Sequence, residues 1–292
     1  MRQQRYREAF WGWLFILPTV LVLGSFTVFP ALIAGYYSFT RFDFLSPPRF
    51  TGWSNYARAL SDPVLGQVTG NTLLMCLGVP IGMAVALALA TLLTDRQLRF
   101  APLYRALFFL PVILPLVALG TVWVRLLNTE SGLVNAGLGV LGVAAVPWLT
   151  SYGWSKVAVT LVGIWSGFGG SLVVLMGGLS TIPLSYYEAA RLDGAGSWTV
   201  FSRITLPLLT PSLTLVSITS FIGALQIFDL VLVLTNGGPG LSSTSIAQFI
   251  YGQAFKSFDM GYAATLSVLL FVLMFALSAG QFWLSERLRV DA

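Results

Sequence analysis

The stretch Glu188–Pro207, EAARLDGAGSWTVFSRITLP, is a polar interruption between two of the most hydrophobic parts of a 292-residue chain. It gathers two acids, two arginines and two glycines in a molecule that is 56% hydrophobic and 9% charged. Pro183 closes the apolar run before it. Ser185-Tyr-Tyr-Glu188 then has the Ser-x-x-Glu spacing of a capping box, in which serine and glutamate each satisfy an orphan amide of the first turn. The spacing predicts a short helix from Ser185, carried by Ala189 and Ala190, two strong helix formers with minimal side chains. Gly194 and Gly196 supply stops, because glycine tolerates the left-handed geometry of a helix C-terminus. Ser197 is placed to cap a second helix through Trp198, Phe201 and Ile204, and Pro207 and Pro211 mark the return to apolar sequence. The expected element is helix–Gly–helix. A plain connector needs only a few residues; about twenty, with alanines and glycine that let another backbone approach closely, read as a docking knob.

What surrounds the knob decides the fold. Charge at 9%, against roughly 25% in soluble domains, cannot coat a water-facing surface, and mean hydropathy is +0.82. Six runs hold no Asp, Glu, Lys or Arg: Ala9–Thr40, Pro63–Thr94, Ala106–Val124, Val157–Tyr187, Ile204–Phe228 and Met260–Ser285. All but the third exceed the roughly 20 apolar residues that cross a bilayer, and the third gains length if Arg125 snorkels outward. Backbone groups in hydrocarbon must be bonded internally, and the alternating pattern of barrel strands is missing, so the runs are read as helices. The expectation is an all-α integral membrane protein forming a single transmembrane domain over 1–292. Its spans are expected at about 10–39, 68–94, 104–126, 157–181, 205–234 and 261–285, with the knob, residues 185–207, between the fourth and fifth. The first run is far longer than the 7–15-residue core of a cleaved signal peptide and is expected to stay as an anchor.

Lys and Arg prefer the cytoplasmic side of short loops. With both termini inside, Arg2, Arg5, Arg7, Arg96, Arg99, Arg105, Arg191, Arg203, Arg287 and Arg289 fall inside. Arg41, Arg49, Arg58, Arg125, Lys156 and Lys256 fall outside. The bias is modest but has the right sign, and the knob is then cytoplasmic. Leu133–Leu149 (LVNAGLGVLGVAAVPWL) competes as a seventh span that would reverse the loop. It is short, has three internal glycines and carries Pro147, so an outer-face or re-entrant segment is preferred. Pro18 and Pro30 in the first run, and Pro111 and Pro115 in the third, predict bends.

Composition also excludes chemistry. The chain has no histidine and a single cysteine, Cys76. This rules out an internal disulfide, and there is no cluster of metal ligands. Cys76 reads as a small buried hydrophobe. No catalytic residue and no metal site are expected. The basic residues are dispersed, so the isoelectric point near 9.6 points to membrane orientation rather than to nucleic acid.

With these residues in hand, Glu188–Pro207 resembles the signature loop of ATP-binding-cassette importer permeases, EAA-x3-G-x9-I-x-L-P. Glu188-Ala189-Ala190, Gly194, Ile204, Leu206 and Pro207 fall at the matching positions. Asp193-Gly194-Ala195 resembles the carbohydrate-uptake branch, the maltose-type and glycerol-phosphate-type permeases. Tyr104–Pro115 (YRALFFLPVILP) and Leu234–Val268 resemble that branch's third core helix and last outer loop, so the likeness runs from about residue 50 onward. It implies that Glu188, Ala189, Ala190, Asp193, Gly194 and Ala195 form a coupling helix seated in a cytoplasmic ATPase. It further implies a second homologous permease, two ATP-binding subunits and an extracytoplasmic solute-binding protein in a bacterial or archaeal cell membrane. The chain has no Gly-x4-Gly-Lys-Ser/Thr loop, so it binds no cofactor of its own, and ATP and Mg belong to the partner ATPase. Gly167–Ser171 (GFGGS) lacks the lysine of a phosphate cradle and reads as close helix packing or a pathway lining.

Ionisable residues within a membrane are candidates for function. Asp229 is the clearest, and Gln226 lies nearly one turn before it. On a continuous helix Ser220, Gly223, Gln226 or Ile227 and Leu230 share a face. In the resembling permeases solute contacts come from the fourth and fifth core helices. Gly167, Gly170, Ser220, Gly223, Gln226 and Asp229 are therefore the candidate pathway, with Trp165, Phe168 and Phe228 as candidates for stacking on sugar faces. The function expected is translocation of a sugar or related solute by alternating access, driven by ATP. The alternative, an ion-coupled transporter working alone, calls for coupling acids and usually an internal repeat; Asp229 is the one candidate acid and no convincing repeat is present.

Overall fold

The structure, a computed structural model, describes residues 2–94 and 98–288, with side chains from Phe10 to Arg287 outside that gap. Arg96 and Arg289 of the charge reading lie outside the described residues. The chain divides into two compact units: the chain up to Asp62 with Ile250–Leu269, and Pro63–Phe249 with the chain from Leu270 onward.

In the first unit, α1 (Arg2–Leu23), a π-turn (Gly24–Val28) and α2 (Phe29–Tyr37) form one long apolar helix. The wide turn has a physical cause. Pro30 lacks an N–H and its ring would meet the carbonyl four residues back. The chain admits an extra residue just before it, with the Phe29 N–H donating to the Gly24 carbonyl. Beyond the helix, β1 (Thr40–Arg41) and β2 (Arg49–Phe50) pair antiparallel, Thr40 opposite Phe50. Asp43 ties their turn by accepting from the Leu45 and Ser46 amides at 3.1 and 2.8 Å. The bonds from Ser46 hold its carboxyl below the usual carboxylate range. Arg58 of α3 (Ser54–Ser61) pairs with Asp259 at 2.6 Å and stacks its guanidinium 3.8 Å from the ring centroid of Tyr262. The buried Tyr262 hydroxyl donates to Asp62 at 2.7 Å.

The second unit is a helical bundle. Its elements are α4 (Pro63–Cys76), α5 (Gly78–Thr94), α6 (Ala101–Ile113), α7 (Leu116–Leu126), α8 (Leu133–Val140), α9 (Trp154–Ser180) and α10 (Leu184–Leu192). There follow α11 (Ser197–Val200), a π-turn (Phe201–Thr205), α12 (Leu206–Leu225) and α13 (Asp229–Leu234). α14 (Ile246–Tyr251) leads out of this unit, a π-turn (Gly252–Lys256) belongs to the first, and α15 (Met260–Leu288) begins in the first and re-enters the second at Leu270. The Phe201–Thr205 turn stands before Pro207 as the first stands before Pro30, with the Leu206 N–H donating to the Phe201 carbonyl.

Among the described residues, five helices are long and apolar enough to cross a membrane: Phe10–Tyr37, Pro63–Thr94, Trp154–Ser180, Ser197–Leu225 and Met260–Arg287. A sixth arises if α6 and α7, bent by 101° at Leu114–Pro115, count as one. The third expected span is therefore broken, because Pro111 and Pro115 each remove a helical amide and Leu114 turns extended. The fifth starts and stops earlier than expected, running Ser197–Leu225, and 229–234 is a separate helix. Leu133–Leu149 holds one eight-residue helix and is not a span.

Two apolar clusters organise the bundle. One joins Met75, Leu119, Val159, Val162, Leu230 and Val231 with their neighbours; the other joins Ala86, Ala90, Phe168, Leu172, Leu175 and Leu209 with theirs. Gly169 sets the approach of α9 to α6, since a Cβ there would lie 2.6 Å from the Phe108 carbonyl oxygen and 2.9 Å from Val112. Cys76 is buried and free.

Candidate functional site

The knob is built around the C-terminus of α10. The Gly194 N–H donates to the Arg191 carbonyl at 3.1 Å and the Ala195 N–H to the Ala190 carbonyl at 2.9 Å. These paired bonds are the Schellman closure. Gly194 carries φ +73° with open space where a Cβ would be, so the backbone angle rather than crowding demands glycine. The capping box does not form. The helix starts at Leu184 with extended Pro183 at its cap and no side-chain cap bond, which leaves Ser185 inside the first turn. Gly196, not Ser197, stands at the cap of the next helix.

Ala190 is the buried residue of α10, and the Tyr187 hydroxyl meets Thr205 Oγ1 at 3.3 Å, tying α10 to the π-turn. Glu188, Ala189, Asp193 and Gly194 face outward, and Ala195 is half-buried. Around them stand exposed Leu184, Tyr186, Leu192 (89% exposed) and Trp198 (75%). A polar rim around exposed aromatic and aliphatic side chains is the form of a protein contact surface.

The second feature is a cavity of about 620 Å³ among α4, α5, α9, α12 and the helix breaks. Gly167, Gly170, Ser220, Gly223, Gln226 and Asp229 all line it. The face expected to join Ser220, Gly223, Gln226 or Ile227 and Leu230 is not continuous: the chain breaks at Gln226–Phe228, and the break brings Gln226 and Asp229 round to the wall. Gln226 Nε2 donates to Met274 Sδ at 3.3 Å. Leu114, at the break between α6 and α7, lies in the same wall, so two helix breaks open on one space.

Further wall residues were not anticipated: Thr160, Gly163 and Ile164 of α9, which continue the stripe of Gly167 and Ser171, and Met75, Gly78, Val79, Gly82 and Met83 of α4 and α5, which face it. Each set recurs at three- and four-residue spacing. A search for small and hydroxyl side chains at that period would have found the α9 set. One turn beyond Thr160 and Met75, Lys156 donates to Asn71 Oδ1 at 3.3 Å. Asn71 Nδ2 in turn donates to the carbonyls of Leu241 and Thr244 at 2.8 and 3.1 Å. Of the aromatic candidates, Phe168 and Phe228 line the cavity. Phe168 is buried edge-on against Phe108 at 5.9 Å, and Trp165 packs edge-on against Trp123 at 5.3 Å. The wall thus offers hydroxyls, an amide and one carboxylate in an otherwise apolar chamber, a surface suited to a polyhydroxylated solute.

Comparison with known proteins agrees with this architecture. The chain is 35% identical over 269 residues to the sulfoquinovosyl glycerol transport system permease protein SmoG of Agrobacterium fabrum, covering 91% of this chain and 87% of the relative. It is 34% identical to the lactose transport system permease protein LacF of Rhizobium radiobacter, over 93% of both chains. It is also 34% identical to the trehalose/maltose transport system permease protein MalF of Thermococcus litoralis, over 92% of both. In fold it is similar to a chain of a bacterial alginate ABC transporter solved with an alginate pentasaccharide-bound periplasmic protein. That match has TM-score 0.83 and 20% identity, covering 97% of this chain and 96% of that one. Residues 78–290 match the model of the binding-protein-dependent transport system inner membrane component, and the chain belongs to that family of multi-pass transport permeases.

Proposed function

We infer that this chain moves a sugar or related solute through the cavity in its second unit, by alternating access, as a transmembrane subunit of an ATP-driven importer. The observation that carries the pathway reading is the convergence of Gln226, Asp229, Ser220 and the α9 glycines on one chamber bounded by two helix breaks. Broken helices let half-spans re-angle about a fixed site. The names of the relatives, which are permeases for sulfoquinovosyl glycerol, lactose and trehalose/maltose, support a carbohydrate cargo. Family membership speaks against an ion-coupled transporter working alone.

In this reading Glu188, Ala189, Ala190, Asp193, Gly194 and Ala195 present the coupling surface, cytoplasmic together with both termini. Leu192 and Trp198 bury in a cleft of the ATPase. Two ATP-binding subunits use ATP and Mg. A second homologous permease completes the pathway, and an extracytoplasmic solute-binding protein delivers the cargo, all in a bacterial or archaeal cell membrane. Gly194→Glu tests the coupling assignment. The variant is expected to reach the membrane in normal amount while uptake and permease-stimulated ATP hydrolysis are lost; normal uptake would remove the assignment.

A further inference from the structure

The connection between α7 and α9 has an unusual surface. It carries one charged side chain, Glu130 near its start, and residues 132–155 carry none, whereas the connection 40–62 carries Arg41, Asp43, Arg49, Arg58 and Asp62. On α8 and the turn after it, Leu133, Val140 (87% exposed), Leu141 (77%) and Val143 stand outward. A water-facing loop of this length would place charge at such positions, and a contiguous apolar tip marks a surface that something covers.

The polar groups beneath the tip are already consumed. Asn135 is buried; its Nδ2 donates to the carbonyls of Thr129 and Val146 at 3.1 and 2.9 Å. Its Oδ1 accepts from the Val146 amide and from Trp148 Nε1 at 3.1 and 3.0 Å. The Gly142 and Val143 amides close α8 on the carbonyls of Gly139 and Leu138, both at 3.0 Å. Inward satisfaction with an aliphatic exterior is what a low-dielectric surrounding requires.

The position selects the occupant. Trp148 stacks edge-on against Trp154, the first residue of α9, at 5.1 Å. α9 has 27 residues, about 40 Å at 1.5 Å per residue, so it outreaches a hydrocarbon core of about 30 Å. Its first turn therefore stands at headgroup depth, where tryptophan and tyrosine collect, and Trp148, Tyr152 and Trp154 cluster there. The apolar exterior continues along α9 through exposed Val157 and Leu161.

We propose that α8 and the turn at Val140–Val143 form an interfacial anchor that lies in the lipid headgroup layer and holds the α7–α9 connection against the bilayer. The anchor is independent of which solute the chain carries. The test places a nitroxide at Leu141→Cys or, as a second site, Val140→Cys, in a Cys76→Ala background. The full chain, with whatever subunits co-purify, is reconstituted in phosphatidylcholine/phosphatidylglycerol nanodiscs. Collision rates with oxygen and with a water-soluble nickel chelate are compared with Leu45→Cys, the 93%-exposed tip of the charged connection. The expected result is high oxygen and low nickel accessibility at 140 and 141, with the reverse at 45. Nickel accessibility at both anchor sites equal to that at 45 would overturn the proposal. So would shielding from both reagents, which indicates a protein cover, or shielding that arises only when a solute-binding protein is added.

Discussion

Gly194 and Asp229 carry the account at the smallest scale, and each does so through one physical property. Gly194 is required for its angle: an L-residue at φ +73° meets its own carbonyl and costs about 1–2 kcal/mol. Gly194→Ala is therefore expected to loosen the end of α10, seen as faster hydrogen exchange at Gly194 and Ala195 and a several-fold drop in ATPase stimulation. Gly196→Ala, at φ −71°, leaves both unchanged. Asp229 contributes charge. A hydroxyl bonded to a carboxylate gains about 1 kcal/mol over one bonded to an amide, so Asp229→Asn should raise the half-saturating solute concentration roughly five- to ten-fold, with expression unaltered. A kinetic constant equal to that of the parent would detach Asp229 from the pathway.

At the scale of elements, close helix approach and helix breaks do the structural work. Gly169→Ala drives a methyl into the Phe108 carbonyl and Val112, an overpacking cost of about 1–3 kcal/mol. Gly170→Ala points into open space and serves as the control. Thermal unfolding in detergent should fall by several degrees for the first and stay put for the second. Much of this level was legible in the sequence, because absence of charge over 20 residues has one cheap explanation. Spans one, two, four and six were drawn from uncharged runs, and helices cover those segments. The angle at Leu114–Pro115 was not legible: two prolines announce a bend, but neighbours set its 101°. The separation of α13 from α12 escaped because no proline marks Gln226–Phe228. Ser185-x-x-Glu188 misled for a local reason. Proline's fixed φ let Pro183 serve as the cap, and the helix began two residues too early for the box to close.

Across the whole molecule, the cavity residues were named from two premises, an intramembrane acid and a helical face. The face proved discontinuous, yet the chain still gathers all six in one wall. Thr160 and Gly163 of α9 stayed hidden because small residues in spanning helices usually mean packing, and only the facing helices show that here they line a space. Orientation, coupling and cargo are whole-assembly properties, and they stand or fall together on energy supply. The direct test is uptake of labelled sugars into proteoliposomes that hold this chain with its second permease and ATPase subunits, with solute-binding protein outside. The account predicts accumulation only when ATP and Mg are enclosed with the ATPase, and none from an ion gradient. Uptake by this chain alone, driven by a proton or sodium gradient without an ATPase, would contradict it.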